Sequence, residues 1–245
     1  MSVRQTVFGP LGRFYPKLDW APRVLRGKTT FQALARDTVA AYLHGVSICS
    51  DEFRQQLFAP QFKRELQGYT STEVFRNAVA GKTFSDPLAL VQYLDYKTYL
   101  PGDILTKVDR ASMAHSLEVR TPFLDYEFVE WVARLPSSVK LKGGEGKHVL
   151  KHALKPLLPH EVLFRSKMGF AVPLDVWFRG SLKNHIAETV AGPRLAHCGV
   201  FDPEFLRRIV RDHQSGRRDY SAPLWSLLMF DGFLQSQDGE RREAA

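Results

Sequence analysis

Cysteine is almost missing from this sequence: Cys49 and Cys198 are the two present among 245 residues. They can build neither a disulfide framework nor a C-x-x-C metal pair, so a reducing cytoplasm is the expected compartment. Long apolar runs are missing too. No stretch approaches the ~20 residues that a membrane helix needs, so no membrane span is expected. The opening MSVRQTVFGPLGRFYPKLDW lacks the apolar segment of a secretory signal. Strand-like alternation lasts nowhere beyond about four or five residues, and no internal repeat or low-complexity tract occurs. What remains is a soluble globular composition, 44% hydrophobic and 24% charged, long enough to bury a core without staples.

The charge balance is +8, with an isoelectric point near 9.5. The basic residues are scattered, and the densest pairs, Arg207-Arg208 and Arg217-Arg218, are short. That distribution fits a solvated basic surface and disfavours nucleic acid as a partner.

What is present is helical periodicity with clear start signals. Residues 1–29 are rich in Pro, Gly and Arg and read as an irregular arm. From Thr30, the residues Phe31, Leu34, Val39, Tyr42 and Leu43 share one broad face. Asp51 is placed to cap a short helix carrying Phe53, Leu57 and Phe58, and short helices are expected at 61–67 and 72–80. Asp86-Pro87 and Asp202-Pro203 each combine a capping carboxylate with Pro at the first helical position. The first opens a helix that stops before Pro101-Gly102, and a second helix over 103–115 follows, with Asp103 as cap. Further helices are expected at 126–135, 147–155, 159–164 and 205–213. The last, about 221–236, is apolar nearly all round and should be buried. The fold class is mainly α, divided into an arm with short helices (1–85), a helical region (86–237) and a charged, disordered tail, DGERREAA (238–245).

Several segments carry candidate chemistry. Gly143-Gly144-Glu145-Gly146-Lys147 resembles a phosphate loop, but the first Walker glycine falls on Leu141 and His148 stands where Ser or Thr is required. It reads as a Gly-rich turn into a helix, although Lys147 and free amides at a helix start could meet a phosphate. His148 and His152 are four apart, with no third ligand in the expected spacing, so no metal site is assigned. Arg165-Ser166-Lys167-Met168-Gly169-Phe170 places Lys167 on a loop with apolar flanks, where a lysine can serve as a point charge for phosphate. In Leu105 to Ala114, Lys107, Asp109 and Arg110 accompany small residues that allow close approach. In SLEVRTPFLD, residues 116–125, Glu118 and Arg120 could pair across a buried turn, and Asp125 is well placed to cap the helix from Tyr126.

These segments in order, Tyr99 to Asp125 (YLPGDILTKVDRASMAHSLEVRTPFLD), Lys140 to Leu174 (KLKGGEGKHVLKHALKPLLPHEVLFRSKMGFAVPL) and Asp219 to Leu234 (DYSAPLWSLLMFDGFL), resemble the C-terminal synthetase domain of glutamine-dependent asparagine synthetases. The wording is most similar to the branch associated with exosortase and exopolysaccharide systems. The resemblance is specific over about 86–235 and looser over 1–85.

The resemblance implies an ATP-dependent ligase, assisted by Mg²⁺, that activates a carboxylate as an acyl-adenylate and amidates it with ammonia from glutamine. It implies catalytic roles for Lys167, near the transferring phosphate, and for Asp125, which helps position that lysine. Glu118 and Arg120 match the E-x-R part of the motif that also carries Asp125 and are implied as substrate or nucleotide contacts; Lys147 and Asp109 join them as candidate contacts from the reading of the residues themselves. The family's S-G-G-x-D-S pyrophosphate loop and S-G-E-G-x-D-E motif do not occur in this sequence, and residue 2 is Ser where the glutaminase nucleophile would be Cys. The expectation is therefore the helical C-terminal portion of an α/β adenine-nucleotide hydrolase-like (PP-loop) synthetase domain whose sheet-forming part is missing, inactive alone. Its expected partners are the glutaminase and PP-loop portions, in cis or in trans, and a small-molecule carboxylate. Two alternatives are a non-catalytic helical interaction module and an enzyme that amidates a sugar or peptide carboxylate in exopolysaccharide synthesis.

Overall fold

The computed structural model describes residues 3–15, 28–166 and 172–243. Helices dominate, as the periodicity predicts, and the described residues hold one small sheet, an antiparallel pair of Leu141–Lys142 and Glu145–Gly146. The chain divides into two compact units that do not follow a cut at residue 85. One comprises 1–45 with 71–169, and the other 46–70 with 170–245.

In the second unit, 46–70 joins 170–245 through one apolar core. Phe178, Ile186, Val190, Leu195, Leu206, Ile209 and Leu224 are fully buried there, with Leu57, Phe201 and Phe205 packed beside them. Two backbone hydrogen bonds splice the segments: the Ala59 amide donates to the Val200 carbonyl (2.9 Å) and the Asp202 amide to the Leu57 carbonyl (2.8 Å). Asp202 then caps Pro203–Gln214 by accepting from the Phe205 amide at 2.9 Å, so the Asp-Pro start signal acts as predicted. At Asp51–Leu57 the cap is Ser50 instead of Asp51. Its hydroxyl accepts from the Phe53 amide, while Asp51 lies in the first turn, where a carboxylate also meets the positive end of the helix dipole. Gly192 is sterically required, because a Cβ there would lie 2.1 Å from the Glu188 carbonyl oxygen.

The last helix, Ser221–Glu243, corrects two expectations. It runs beyond 236 through a stretch rich in helix-forming Glu and Arg. It is also not buried all round: Leu224, Leu227 and Asp231 face the core at helical spacing, while Trp225, Met229 and Phe233 are exposed. The buried Asp231 carboxylate accepts from Arg194 Nη1 (3.0 and 3.2 Å) and from the Gln235 side-chain amide (2.7 Å).

In the first unit, the arm is not irregular where it is described. Val3–Phe14 is a helix with Pro10 inside it, and Phe8 and Tyr15 reach Phe31 of the Lys28–Leu34 helix at ring-centroid distances of 6.4 and 5.4 Å. The period seen from Thr30 belongs to two helices, Lys28–Leu34 and Thr38–Val46. Tyr42 of the second donates its phenolic proton to Asp95, and burial together with that carboxylate pushes the phenol well above its usual range. Asp86 caps Pro87–Leu94 by accepting from the Ala89 amide at 3.0 Å, and its other oxygen accepts from the Ser137 hydroxyl at 2.7 Å. The Ser137 contact is the main reason its carboxyl is held below the usual range.

His213 generates a pH prediction for the second unit. The ring is fully buried, and its Nδ1 accepts from the Tyr220 amide at 3.1 Å, which requires that nitrogen to be unprotonated. Burial lowers its proton affinity below the ordinary value of 6.5, the Arg179 charge lowers it further, and Asp219 opposes. The unfolded chain therefore takes the proton more readily. Stability from this group is fully present above pH 6.5 and is lost as the pH falls below 6.5 toward the depressed folded value. Urea unfolding midpoints measured at about pH 7.5 and about pH 5.5 should fall more steeply in the native chain than in His213→Gln. Equal falls would remove His213 as the cause.

Candidate functional site

The segment 95–125 departs most from its expected local structure. The sequence predicts a helix that stops before Pro101 and a fresh start at Asp103. Instead, a π-helix, Asp95–Leu105, carries the backbone through Pro101-Gly102 into the α-helix Thr106–Met113. Pro101 has no amide to donate, and the wider turns accommodate that loss. Two threonine hydroxyls take up carbonyls along the way: Thr98 Oγ1 donates to Leu94 O and Thr106 Oγ1 to Pro101 O, both at 2.7 Å. Short π segments inside helices recur at functional sites.

The chain then turns sharply. Ser116 adopts a left-handed conformation (φ 56°), the Leu117 amide donates to the Ser112 carbonyl at 3.1 Å and the Ser116 amide to the Met113 carbonyl at 2.9 Å. This is the Schellman arrangement, with Ser in the place usually held by Gly. From here the backbone carries no helix until Thr121, which is extended as expected before a proline. Within this segment Glu118 and Arg120, two residues apart, meet, with Arg120 Nε donating to Glu118 Oε1 at 2.9 Å. A 3₁₀ turn, Pro122–Leu124, follows. Asp125 then caps Tyr126–Arg134, its Oδ1 accepting from the Phe128 amide at 3.1 Å.

The pair and the cap are where the residues place them, but the turn is not buried. The side chains of Arg120 and Glu118 are 85% and 69% exposed. In water such a pair contributes about 0–1 kcal/mol, so it orients Arg120 more than it stabilises the fold. Arg120 and Asp125 line one hollow of about 470 Å³ together with Leu105, Val119, Thr121, Pro122 and Leu124. Asp109 and Lys147 are exposed and do not line it. Asp109 lies on Thr106–Met113, and Lys147 precedes His148–Leu154 in a left-handed conformation (φ 59°). Lys167 lies outside the described residues. The contribution of Leu105, Val119 and Thr121 to the hollow is not visible in the sequence, because it follows from the π-helix and the tight turn that bring 105 beside 119–125.

The hollow joins a guanidinium, a carboxylate, a hydroxyl and apolar walls. Arg120 engages Glu118 through Nε, and its remaining N–H donors have the geometry to bind a phosphate or carboxylate in a fork. A second hollow in the same unit, about 500 Å³, is lined by Phe84, Gln92, Tyr93, Tyr96, Val129 and neighbouring residues, and contains none of the candidate site residues.

Comparison with known proteins supplies the context. The family model described as asparagine synthase matches residues 6–235. A putative glutamine-hydrolysing asparagine synthetase of Mycobacterium tuberculosis is 38% identical over 175 residues, covering 69% of this chain and 26% of the relative. Glutamine-hydrolysing asparagine synthetase 1 of Bacillus subtilis is 27% identical over 214 residues, covering 85% of this chain and 32% of the relative. The bovine asparagine synthetase is 31% identical over 139 residues, half of this chain and 24% of its own length. The chain thus matches between about a quarter and a third of the length of these relatives. No solved structure matches it.

Asp125→Ala removes the cap of Tyr126–Arg134 and should cost about 1 kcal/mol in urea unfolding. A double-mutant cycle on Glu118 and Arg120 should give a coupling below about 1 kcal/mol. A coupling of several kcal/mol would show that the pair is buried in solution.

Proposed function

Because the chain belongs to the asparagine synthase family, we propose that it provides the C-terminal wall of an ATP-dependent synthetase site. That site activates a carboxylate as its acyl-adenylate, releasing pyrophosphate, and completes amide formation with ammonia from glutamine. The observation that carries this reading is the convergence of Arg120 and Asp125 on one hollow, with Glu118 holding Arg120, inside the stretch that carries the family motif.

In this reading, Arg120 receives an anionic oxygen of the nucleotide or of the carboxylate substrate. Lys167 supplies a second positive charge where negative charge develops on the transferring phosphate, the kind of stabilisation a preorganised cation gives best. Asp125 positions Lys167 while continuing to cap its helix. Lys147 and Asp109 act at the margin of the site, through nucleotide contacts outside the hollow. Mg²⁺ is expected to travel with the phosphates.

The rest of the site comes from the glutaminase and PP-loop portions, in cis or in trans, and the reaction runs in the cytoplasm, where ATP is available. Two observations support dependence on those portions. The chain covers 26–32% of the first relatives' length. Along the segment that lines the hollow, Leu117, Val119, Phe123, Tyr126 and Trp131 are exposed, and exposed apolar surface concentrated in one segment often marks an interface.

The test joins this chain with a polypeptide carrying the PP-loop portion and measures carboxylate-dependent exchange of pyrophosphate into ATP. Exchange should require both parts, and Lys167→Ala should lower it by about 10²–10³-fold at unchanged melting temperature. An unaffected rate would remove Lys167 from the site. Full exchange by this chain alone would refute the dependence on a partner portion.

A further inference from the structure

The Gly-rich turn and the helix after it assemble a group of ligands that the synthetase reading does not use. Gly143 and Gly144 both have positive φ, 57° and 80°, as a tight type I′ hairpin demands. The turn pairs Lys142 with Glu145 across the two short strands. Lys147, in its left-handed conformation, then redirects the chain into His148–Leu154. The result folds the helix back toward the hairpin. Glu145 Oε2 lies 3.2 Å from His148 Nδ1, and the rings of His148 and His152, one helical turn apart, have centroids 4.1 Å apart. One donor atom each from Glu145, His148 and His152 lies within 4.8 Å of the others. The histidine spacing alone had no third ligand; the hairpin supplies it.

We propose that Glu145, His148 and His152 bind a divalent transition-metal ion of the zinc class, fastening the hairpin to the helix. Two imidazoles and a carboxylate form a borderline donor set that suits Zn²⁺, Co²⁺ or Ni²⁺, with a remaining position for water. Ligand atoms about 2.1 Å from a tetrahedral centre stand about 3.4 Å apart, and the present separations of up to 4.8 Å are within about an ångström and a half of that. Glu145 Oε1 is engaged by Lys151 Nζ at 3.0 Å, which leaves Oε2, the oxygen facing His148, for the metal. His148 and Glu145 are half-buried and His152 is exposed, so an ion has a route in from solvent. The three ligands have no role in the proposed synthetase chemistry, and binding an ion there needs neither nucleotide nor partner.

The experiment is a Co²⁺ titration of the full chain, followed by its d–d absorption and by competition with Zn²⁺. The expected result is a single saturable equivalent with tetrahedral-type bands that Zn²⁺ displaces. That equivalent should disappear in His152→Ala and in His148→Gln, and persist in His185→Ala, an exposed histidine elsewhere. His152 is exposed, so His152→Ala should keep the native circular dichroism spectrum. Absence of a saturable equivalent in the native chain, or its survival in both His152→Ala and His148→Gln, would overturn the proposal.

Discussion

Leu117, Val119, Phe123, Tyr126 and Trp131 meet water along the segment that also carries Glu118, Arg120 and Asp125, each of the five at least 49% exposed. At about 25 cal/mol per Å² of apolar surface, covering such side chains yields a substantial part of a domain's net stability. The unit formed by 46–70 and 170–245 satisfies this demand internally, with Phe178, Ile186, Leu206 and Ile209 fully buried. The segment 105–131 does not. Val119 also lines the charged hollow, and in the proposed enzyme burial of this segment and the completion of the nucleotide site are one event. Excluding water there would also strengthen the field of Arg120.

The chemistry of the hollow rests on local backbone devices. A π-helix brings Leu105 close, Ser116 ends the preceding helix in a left-handed turn, and Glu118 in the segment after it holds Arg120. Asp125 illustrates how one carboxylate serves two demands. One oxygen accepts the Phe128 amide, and the group still lines the hollow. In the proposed enzyme such a side chain would be held in place before a ligand arrives, which is the preorganisation that catalysis by charge requires.

Much of the fold was legible because helix caps are local signals. Asp86-Pro87 and Asp202-Pro203 start helices where the residues say they should, and Asp125 caps as expected. The helical class followed from periodicity, and the family from the run between Tyr99 and Leu174. What escaped was tertiary or cooperative. The passage through Pro101 depends on a π register with hydroxyl help from Thr98 and Thr106. Ser50 displaced Asp51 as cap by one residue, a distinction set by backbone geometry. The Glu118–Arg120 pair was foreseen, but not its exposure, since residue types alone do not say what covers a turn. Glu145 was unrecognised as a neighbour of His148 and His152 because a hairpin, not helical spacing, delivers it.

The most direct measurement is amide hydrogen exchange over 105–131, on this chain alone and after addition of a polypeptide carrying the PP-loop portion of an asparagine synthetase. Formation of a joint site predicts strong new protection from Leu117 through Trp131, with 170–243 unchanged within its own core. Exchange over 105–131 that is already slow in the chain alone, or that stays fast in the mixture, would contradict it.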